Sequence, residues 1–478
     1  MKTLFLNPPS FSRFDSAGAR FAATRKTHSL WYPAWLGYGA ALVPKSKLID
    51  CPAGEISLEQ LLPMVKAYNL VVIYTSTPSF TNDVTVAESL KKTSPETKII
   101  FAGPHVSVLS EESLKVSNAI DAVVRGEFEE TILAVHQGKL WKKIKGLSFK
   151  KNRRIIHNSS RPSLTNLDKI PFVARVYKRD LPINSYHLPF CLHPYIAIYA
   201  GRGCPNLCTF CLWPQTFTGR ICRKRSVANV IKEIKWIKKN IPEIKEIFFD
   251  DDTFTINRNW VKNFCQKIKP LKVTWSVNAR ADLPYSLLKQ MKGAGCRVLV
   301  VGYESGDKKI LKNIKKGLTI AQMKQFTQEA KRAGLMIHGT FVLGLPGETK
   351  KTIEKTFRFA CDLDCDTIQV SIATPFPGTE LYEYCQKRGY LKKAPLVDQS
   401  GYQMPTISYP RLSAQEIKEA VEKFHLRYYF RPSYIFKTVK TALLNPREMK
   451  RITISSWEFG KYLLKQPLSK KQNLFSHR

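Results

Sequence analysis

Short, continuous apolar runs separated by stretches of helical spacing set the rhythm of this chain. In its first part the runs are residues 3–6, 48–50, 71–75, 98–102 and 121–124. Each is a few residues long and bounded by turn residues, as strands buried on both faces of a parallel sheet are. Between them, residues 57–68 and 83–93 carry apolar side chains at helical intervals. The alternation predicts an α/β fold that opens with a doubly wound, Rossmann-like domain over residues 1–140. Ligands are then expected at the C-terminal ends of the strands, where the chain places Asn7, Ser76, Gly103, His105 and Gly126.

Residues 146–157 alternate around a Lys-Asn-Arg turn and predict a small hairpin, and residues 161–172 are punctuated by proline with little periodicity. Residues 141–190 are therefore read as a linker carrying that hairpin. The strand and helix alternation resumes at Tyr195, with strands predicted at 195–200, 246–249, 273–277, 298–301, 337–343 and 367–372. Ser226 is placed to cap the first helix, whose Val227, Val230, Ile231, Ile234 and Ile237 form one stripe. This second βα series spans residues 191–385. Beyond it lies a basic, aromatic and helical region, 386–478, in which Ser413 and Glu416 have capping-box spacing ahead of Ile417, Ala420, Val421, Phe424 and Tyr428.

Composition changes the picture in two places. With 478 residues the chain is long enough for two large domains and an appendage. Its 44% apolar content is that of a globular protein, and no run of about 18 apolar residues suggests a membrane span. Residues 1–6 are too short an apolar run for a signal peptide, and eleven cysteines without disulfide-type spacing point to a reducing cytoplasm. The net charge of +38 is the extreme value, and it suits nucleic acid or an anionic membrane surface equally. Residues 431–478 concentrate it, with eleven Lys or Arg against Glu448 and Glu458. Tyr434, Ile435, Phe436, Trp457, Phe459, Tyr462 and Leu463 are interleaved there, a combination suited to lying on anionic lipid. The plainer alternative is a helical appendage whose aromatic residues pack on the barrel and whose lysines are solvated.

The chemistry centres on Ala200 to Cys211, directly after the apolar run at Tyr195. Cys204, Cys208 and Cys211 have C-x3-C-x2-C spacing, which can hold three irons of a cubic iron–sulfur cluster and leave the fourth open to an outside ligand. A structural zinc site would need a fourth ligand, and Cys222 lacks the paired spacing. With Phe210 before the last cysteine, the motif resembles that of the radical S-adenosylmethionine (SAM) superfamily. The resemblance implies a [4Fe-4S] cluster, SAM chelated at the open iron, and an electron that splits the sulfonium to a 5'-deoxyadenosyl radical. It also implies a partial (β/α)6 barrel and a reductant of flavodoxin or ferredoxin type.

Polar residues collect after each predicted barrel strand: Asp250, Asp251 and Asp252, then Asn278 and Arg280, then Glu304 and Ser305, then Gly344 and Glu348. These sets match the SAM-contacting strand ends of that fold. Arg280 and Glu304 are the first choices for the carboxylate and amino groups of SAM, since a planar cation and an acceptor are what an amino-acid end requires. Asp250 and Asp251 are candidates for hydroxyl groups of ribose or substrate. The first domain resembles the cobalamin-binding domain of one large subfamily, which makes cobalamin a candidate third cofactor. No Asp-x-His-x-x-Gly is present, so no histidine is placed as a lower cobalt ligand.

Taken over nearly its whole length, from the opening Met1-Lys-Thr-Leu-Phe-Leu-Asn-Pro-Pro through Trp31 to Leu36, the chain resembles the hopanoid-biosynthesis radical SAM branch, which makes bacteriohopanetetrol cyclitol ether. That branch implies contraction of the glucosamine ring of a hopanoid glycoside, a lipid substrate, and a cytoplasmic protein held peripherally at the inner membrane face. Two alternatives remain: a cobalamin-dependent radical SAM C-methyltransferase, and a tRNA-modifying radical SAM enzyme. Nucleic acid is not the expected partner, because methylthiotransferases of the latter kind carry three further N-terminal cysteines and the first 190 residues here contain only Cys51.

Overall fold

The computed structural model describes residues 1–10, 29–152, 154–398 and 401–464. Its first sheet contains β1 (Thr3–Asn7), β2 (Lys47–Asp50), β3 (Leu70–Tyr74), β4 (Lys98–Ala102), β5 (Ala122–Val124), β6 (Leu147–Lys151) and β7 (Arg154–His157). The order is β2-β1-β3-β4-β5-β6-β7, parallel from β2 to β5 and antiparallel beyond. Every predicted N-terminal strand is present. The hairpin expected within the linker is also present, but it is no linker element, because β6 pairs with β5 and extends the sheet to His157.

Period-two alternation divides this sheet between two cores. Leu4, Leu6, Val71, Ile73, Ile99 and Phe101 point to one face, beneath helices Leu58–Val65 and Phe80–Thr93. Phe5, Val72, Tyr74, Ile100 and Val124 point to the other and join a core continuous with the second half of the chain. Helix Ala34–Leu42 lies at that join, buried on almost every side. Its glycines allow close packing: a Cβ on Gly39 would come within 2.6 Å of the Phe5 ring, and one on Gly37 within 2.8 Å of Tyr177.

The second sheet has six parallel strands in chain order, β8 (Tyr195–Ile198), β11 (Glu246–Phe249), β12 (Trp275–Ala279), β13 (Cys296–Glu304), β14 (Met336–Leu343) and β15 (Thr367–Ile372). Unclosed and flanked by helices such as Val227–Asn240 and Lys350–Leu363, it is a partial barrel. The intervening β9 (Gly201–Arg202) and β10 (Arg223–Lys224) pair antiparallel, so the cysteine segment is a loop clamped at both ends. Ser226 and Ser413 cap their helices as predicted, by accepting from the amides of Asn229 and Glu416. Among the described residues the C-terminal region has no helix between Lys387 and Ala414, and then runs as Ala414–Tyr429, Pro432–Leu444 and Pro446–Leu464. The last part of the basic tail, residues 465–478, lies outside the described residues.

Candidate functional site

Cys204, Cys208 and Cys211 occupy the loop between β9 and helix Leu212–Thr216, at the C-terminal edge of β8. The loop is tied down by its own backbone. Gly203 enters it at φ 83°, where a Cβ would lie 2.2 Å from the Ile221 carbonyl oxygen, so only glycine fits. Gln215 donates its side-chain amide to the carbonyls of Thr209 (3.1 Å) and Cys211 (2.7 Å), gathering the loop around one group. The Cys204 sulfur accepts from Asn206 Nδ2 at 3.1 Å and lies 3.7 Å from Thr253 Oγ1. Cys204 and Cys208 are buried, Cys211 is half-buried, and Phe210 packs against the core.

Among the described residues no three His, Cys, Asp or Glu side chains close around a single ion. A cubic cluster asks for something else: three thiolates spread over three irons, from soft donors in one loop. The cysteine loop meets that requirement.

The strand ends that the sequence singled out do converge on this loop, and several of their side chains brace it. Asp251 accepts from the Ala200 amide at 2.7 Å and pairs with Lys224 at 2.7 Å. Asp252 accepts from the Gly203 amide at 2.7 Å, directly ahead of the first cysteine. Asn278 donates to Asp250 Oδ1 and to the Asp251 carbonyl. Ser305 holds the next turn, contacting Thr356 Oγ1 and accepting from the Asp307 amide.

Arg280 and Glu304 come together with a third group that sequence reasoning missed. Lys316 pairs with Glu304 at 2.8 Å, both side chains being buried, and Arg280 donates to the carbonyls of Lys316 (2.6 Å) and Gly317 (3.0 Å). Burial works against the charge on Lys316, and Glu304 reverses the effect, leaving its pKa raised. Burial also raises the Cys208 thiol, with Lys316, Glu304 and Arg280 as the nearest charges acting on it. Glu304, Lys316 and Arg280, the last also paired with Asp282 at 3.2 Å, therefore face the cysteine loop. Lys316 gave no signal in the sequence, since it sits in a Lys-Lys-Gly loop with no motif.

Glu348 closes its own turn. One carboxylate oxygen accepts from the amides of Gly344 (2.5 Å) and Leu345 (3.2 Å), and the other is buried with no hydrogen-bond partner. Burial pushes its pKa to about 8, so at neutral pH it carries a proton that the second oxygen can offer.

At the first sheet, Asn7 donates to Asp50 at 2.6 Å, and Ser76 turns on Ser79. Gly103, at φ 122°, lets the ends of β3 and β4 approach, because a Cβ there would be 2.2 Å from the Thr75 oxygen. His105 stacks on Phe80 at 4.2 Å and contacts Thr77 Oγ1 at 3.2 Å, and burial lowers its pKa to about 4. It is a neutral, committed side chain. Gly126, at φ 72°, has open space where its Cβ would be, which suits a cradle for a large planar ligand.

The two sets of strand ends face each other. Arg202 of β9, 3% exposed, pairs with Glu129 at 2.6 Å and lies 3.7 Å from Glu127, which Arg223 of β10 also engages at 2.7 Å. Both acids follow β5. Burial would raise the Glu127 carboxyl, but Arg202 and Arg223 hold it below its usual range. Trp35 stacks with Trp213 beside this cluster, and Phe217 meets both Trp35 and Tyr74 edge-on. A Cβ on Gly378, after β15, would lie 2.7 Å from Val108, after β4.

Comparison with known proteins agrees with this geometry. The radical SAM superfamily profile matches residues 198–360, and the B12-binding domain profile matches residues 22–136. A relative from Pyrococcus horikoshii, described as an uncharacterised methyltransferase, is 32% identical over 92% of this chain and 95% of its own. The anaerobic magnesium-protoporphyrin IX monomethyl ester cyclase of Cereibacter sphaeroides is 27% identical over 90% of this chain and 71% of its own. Among solved structures, the cobalamin-dependent SAM radical enzyme OxsB with aqua-cobalamin and SAM bound superposes with a TM-score of 0.67. It is 14% identical and covers 97% of this chain and 72% of that one, a likeness of fold.

Proposed function

The chain belongs to the radical SAM superfamily, in the form that places a B12-binding domain before the barrel, and from that premise we propose that it is a cobalamin-dependent C-methyltransferase. Its cofactors are a [4Fe-4S] cluster and SAM, with cobalamin as the third, and it needs an external reductant. When bound, the cluster and SAM supply one-electron chemistry and the corrinoid supplies a methyl group. We assign Cys204, Cys208 and Cys211 to the cluster, Arg280, Glu304 and Lys316 to the amino-acid end of SAM, and Glu348 to a hydrogen bond from its protonated oxygen.

One observation carries the reading: the C-terminal edges of the two sheets meet, joined through Arg202, Glu127 and Glu129. A ligand at the end of the first sheet and one at the end of the second would therefore share one water-poor space. The relative matched over 95% of its own length is described as a methyltransferase, and the cyclase matches over 71% of its own. The contraction of a hopanoid sugar suggested by the N-terminal run has no counterpart in these descriptions, and methyl transfer takes its place.

The test is anaerobic reconstitution with hydroxocobalamin, reductant and methyl-deuterated SAM. Corrinoid should be retained at one per chain, and S-adenosylhomocysteine should form even before an acceptor is found, as the corrinoid takes up the label. Failure to retain corrinoid overturns the reading. Formation of 5'-deoxyadenosine with no S-adenosylhomocysteine would favour ring-forming chemistry such as the cyclase's.

We further place the protein against an anionic bilayer, with a lipid or other amphiphile as acceptor. No helix among the described residues is long and apolar enough to cross a membrane. Helix Pro432–Leu444 nonetheless turns its apolar side outward: Phe436 is 72% exposed, Leu443 76% and Leu444 75%. Its packed side carries Lys437, paired with Asp364 and Asp366. An amphipathic helix inverted in this way needs a partner for its outer face, and the exposed Lys440 on it favours acidic lipid. Full-length protein should sediment with phosphatidylglycerol vesicles at low salt and be released near about 0.5 M, where the Debye length falls to a few ångströms. Phe436→Ser/Leu443→Ser should remain in the supernatant. Sedimentation of that variant with the vesicles would refute the placement.

A further inference from the structure

A cavity of about 530 Å3 lies at the foot of the barrel, under helix Pro446–Leu464 and at the N-terminal ends of β8, β11 and β12. That is the opposite end of the strands from Cys204, so the cavity is no part of the cofactor site. The helix is held across it by two arginines, Arg451 buried and Arg297 largely so. Arg297 joins Glu448 to Glu246, at 2.7 and 2.8 Å, and Arg451 ties Glu448 to the Pro189 carbonyl.

The walls are apolar, formed by Ile234, Ile237, Ile241, Ile247, Val273 and Ile454. The rim is basic, with Lys245, Lys272, Arg447 and Lys450 lining it. None of these four makes a side-chain hydrogen bond or ion pair among the described residues. Among the described residues the one acid lining the cavity, Glu246, has its charge matched by Arg297 and accepts from the Leu192 amide and the Ser276 hydroxyl. Burial lowers the pKa of His193, and Lys245 and Lys450 add to the effect, so both lysines act on the same point at the cavity wall.

Four solvent-exposed cations with no acidic partner among the described residues, set around an apolar hollow of ligand size, favour taking in a negative charge. An inorganic anion would satisfy the rim and leave the isoleucine walls wet, and a neutral lipid would do the reverse. We propose that this cavity binds an anionic amphiphile, with its acidic head among Lys245, Lys272, Arg447 and Lys450 and its apolar portion against the isoleucines. The proposal stands apart from methyl transfer and from the bilayer contact of the outward helix face.

Calorimetric titration of the full chain with dodecyl phosphate, below its critical micelle concentration, tests it against inorganic phosphate and dodecyl maltoside. Dodecyl phosphate should bind at one per chain and at least about tenfold more tightly than either, since each lacks one half of the interaction. Lys245→Ala/Lys450→Ala removes two side chains that bond to nothing, so the fold is kept, and it should weaken binding about tenfold or more. Ile454→Ser should weaken dodecyl phosphate and not inorganic phosphate, while Phe436→Ser should change neither. Equal affinity for inorganic phosphate would reduce the site to a cation patch, and equal affinity for the maltoside would reduce it to a greasy surface. Either result, or binding that the lysine variant leaves unaltered, overturns the proposal.

Discussion

Replacing Arg202 by methionine should loosen the junction between the two domains before it affects either sheet. The guanidinium is 3% exposed, pairs with Glu129 at 2.6 Å, and lies 4.4 Å above the Trp35 ring. Methionine keeps most of the aliphatic volume against Trp35 and removes the charge. Glu127 would retain Arg223, whose two nitrogens reach its carboxylate at 2.7 and 2.9 Å. Glu129 would lose the one cation paired with it among the described residues and remain buried. Removing one partner of a buried pair costs roughly 3–5 kcal/mol, mostly as the penalty of the stranded charge. Because Glu127 stays paired, the lower end applies, about 3 kcal/mol, or roughly two orders of magnitude in the opening equilibrium. A chain of this size is no two-state unfolder, so a global melting curve is a poor readout. Native-state hydrogen exchange is better: peptides covering residues 122–136 and 199–204 should lose about a hundredfold in protection, and the strands β13 and β14 should not. In Arg202→Met/Glu129→Gln most of that protection should return, because the stranded charge is gone. Unchanged exchange in the single variant, or a double variant worse than the single, would refute the idea that this buried pair locks the junction.

Three further outcomes follow from the site. Cys204→Ala, Cys208→Ala and Cys211→Ala should each abolish 5'-deoxyadenosine formation, while Cys222→Ala should leave iron content and SAM cleavage intact. Gly203→Ala should sharply reduce bound iron and sulfide after reconstitution, because its Cβ meets the Ile221 oxygen at 2.2 Å. Gly219→Ala, at φ 77° with nothing within 4 Å of its Cβ, should cost only the left-handed strain of roughly 1–2 kcal/mol and keep its iron. Burial raises Asp83 to about 7 and Glu348 to about 8, above the ordinary carboxylate range. The stability these groups confer is complete below about pH 4 and is lost as pH rises through 7 to 8. Asp83→Asn should therefore gain on the native chain between about pH 4 and 7, by up to about 1.4 kcal/mol per unit in denaturant titrations, and level off above pH 7, and parallel profiles would show that Asp83 stays ionised.

What the sequence determined by itself was whatever a short window can encode. The C-x3-C-x2-C spacing puts three thiols in one loop wherever that loop lies, and short apolar runs such as residues 71–75, bounded by turn residues, are of strand length and alternate with helical stretches, so the α/β class of both halves was legible. Capping at Ser226 and Ser413 was legible for the same reason, since donor and acceptor are three residues apart. Tertiary structure decided what depends on distant partners. Glu304 is met by Lys316 and Arg202 by Glu129, pairings that no local pattern announces. Asp251 and Asp252, indistinguishable in sequence from ligand-binding acids, were committed by folding to the backbone of the cysteine loop. Residues 147–157 carry the alternation of any hairpin, and only the free edge of β5 made them part of a sheet. The basic aromatic tail was evident from composition, but which side of helix Pro432–Leu444 faces outward was set by Asp364 and Asp366. They hold Lys437 inward and leave Phe436 and Leu443 exposed, because the half-buried ion pairs tie down one face of the helix and so turn the other away from the barrel.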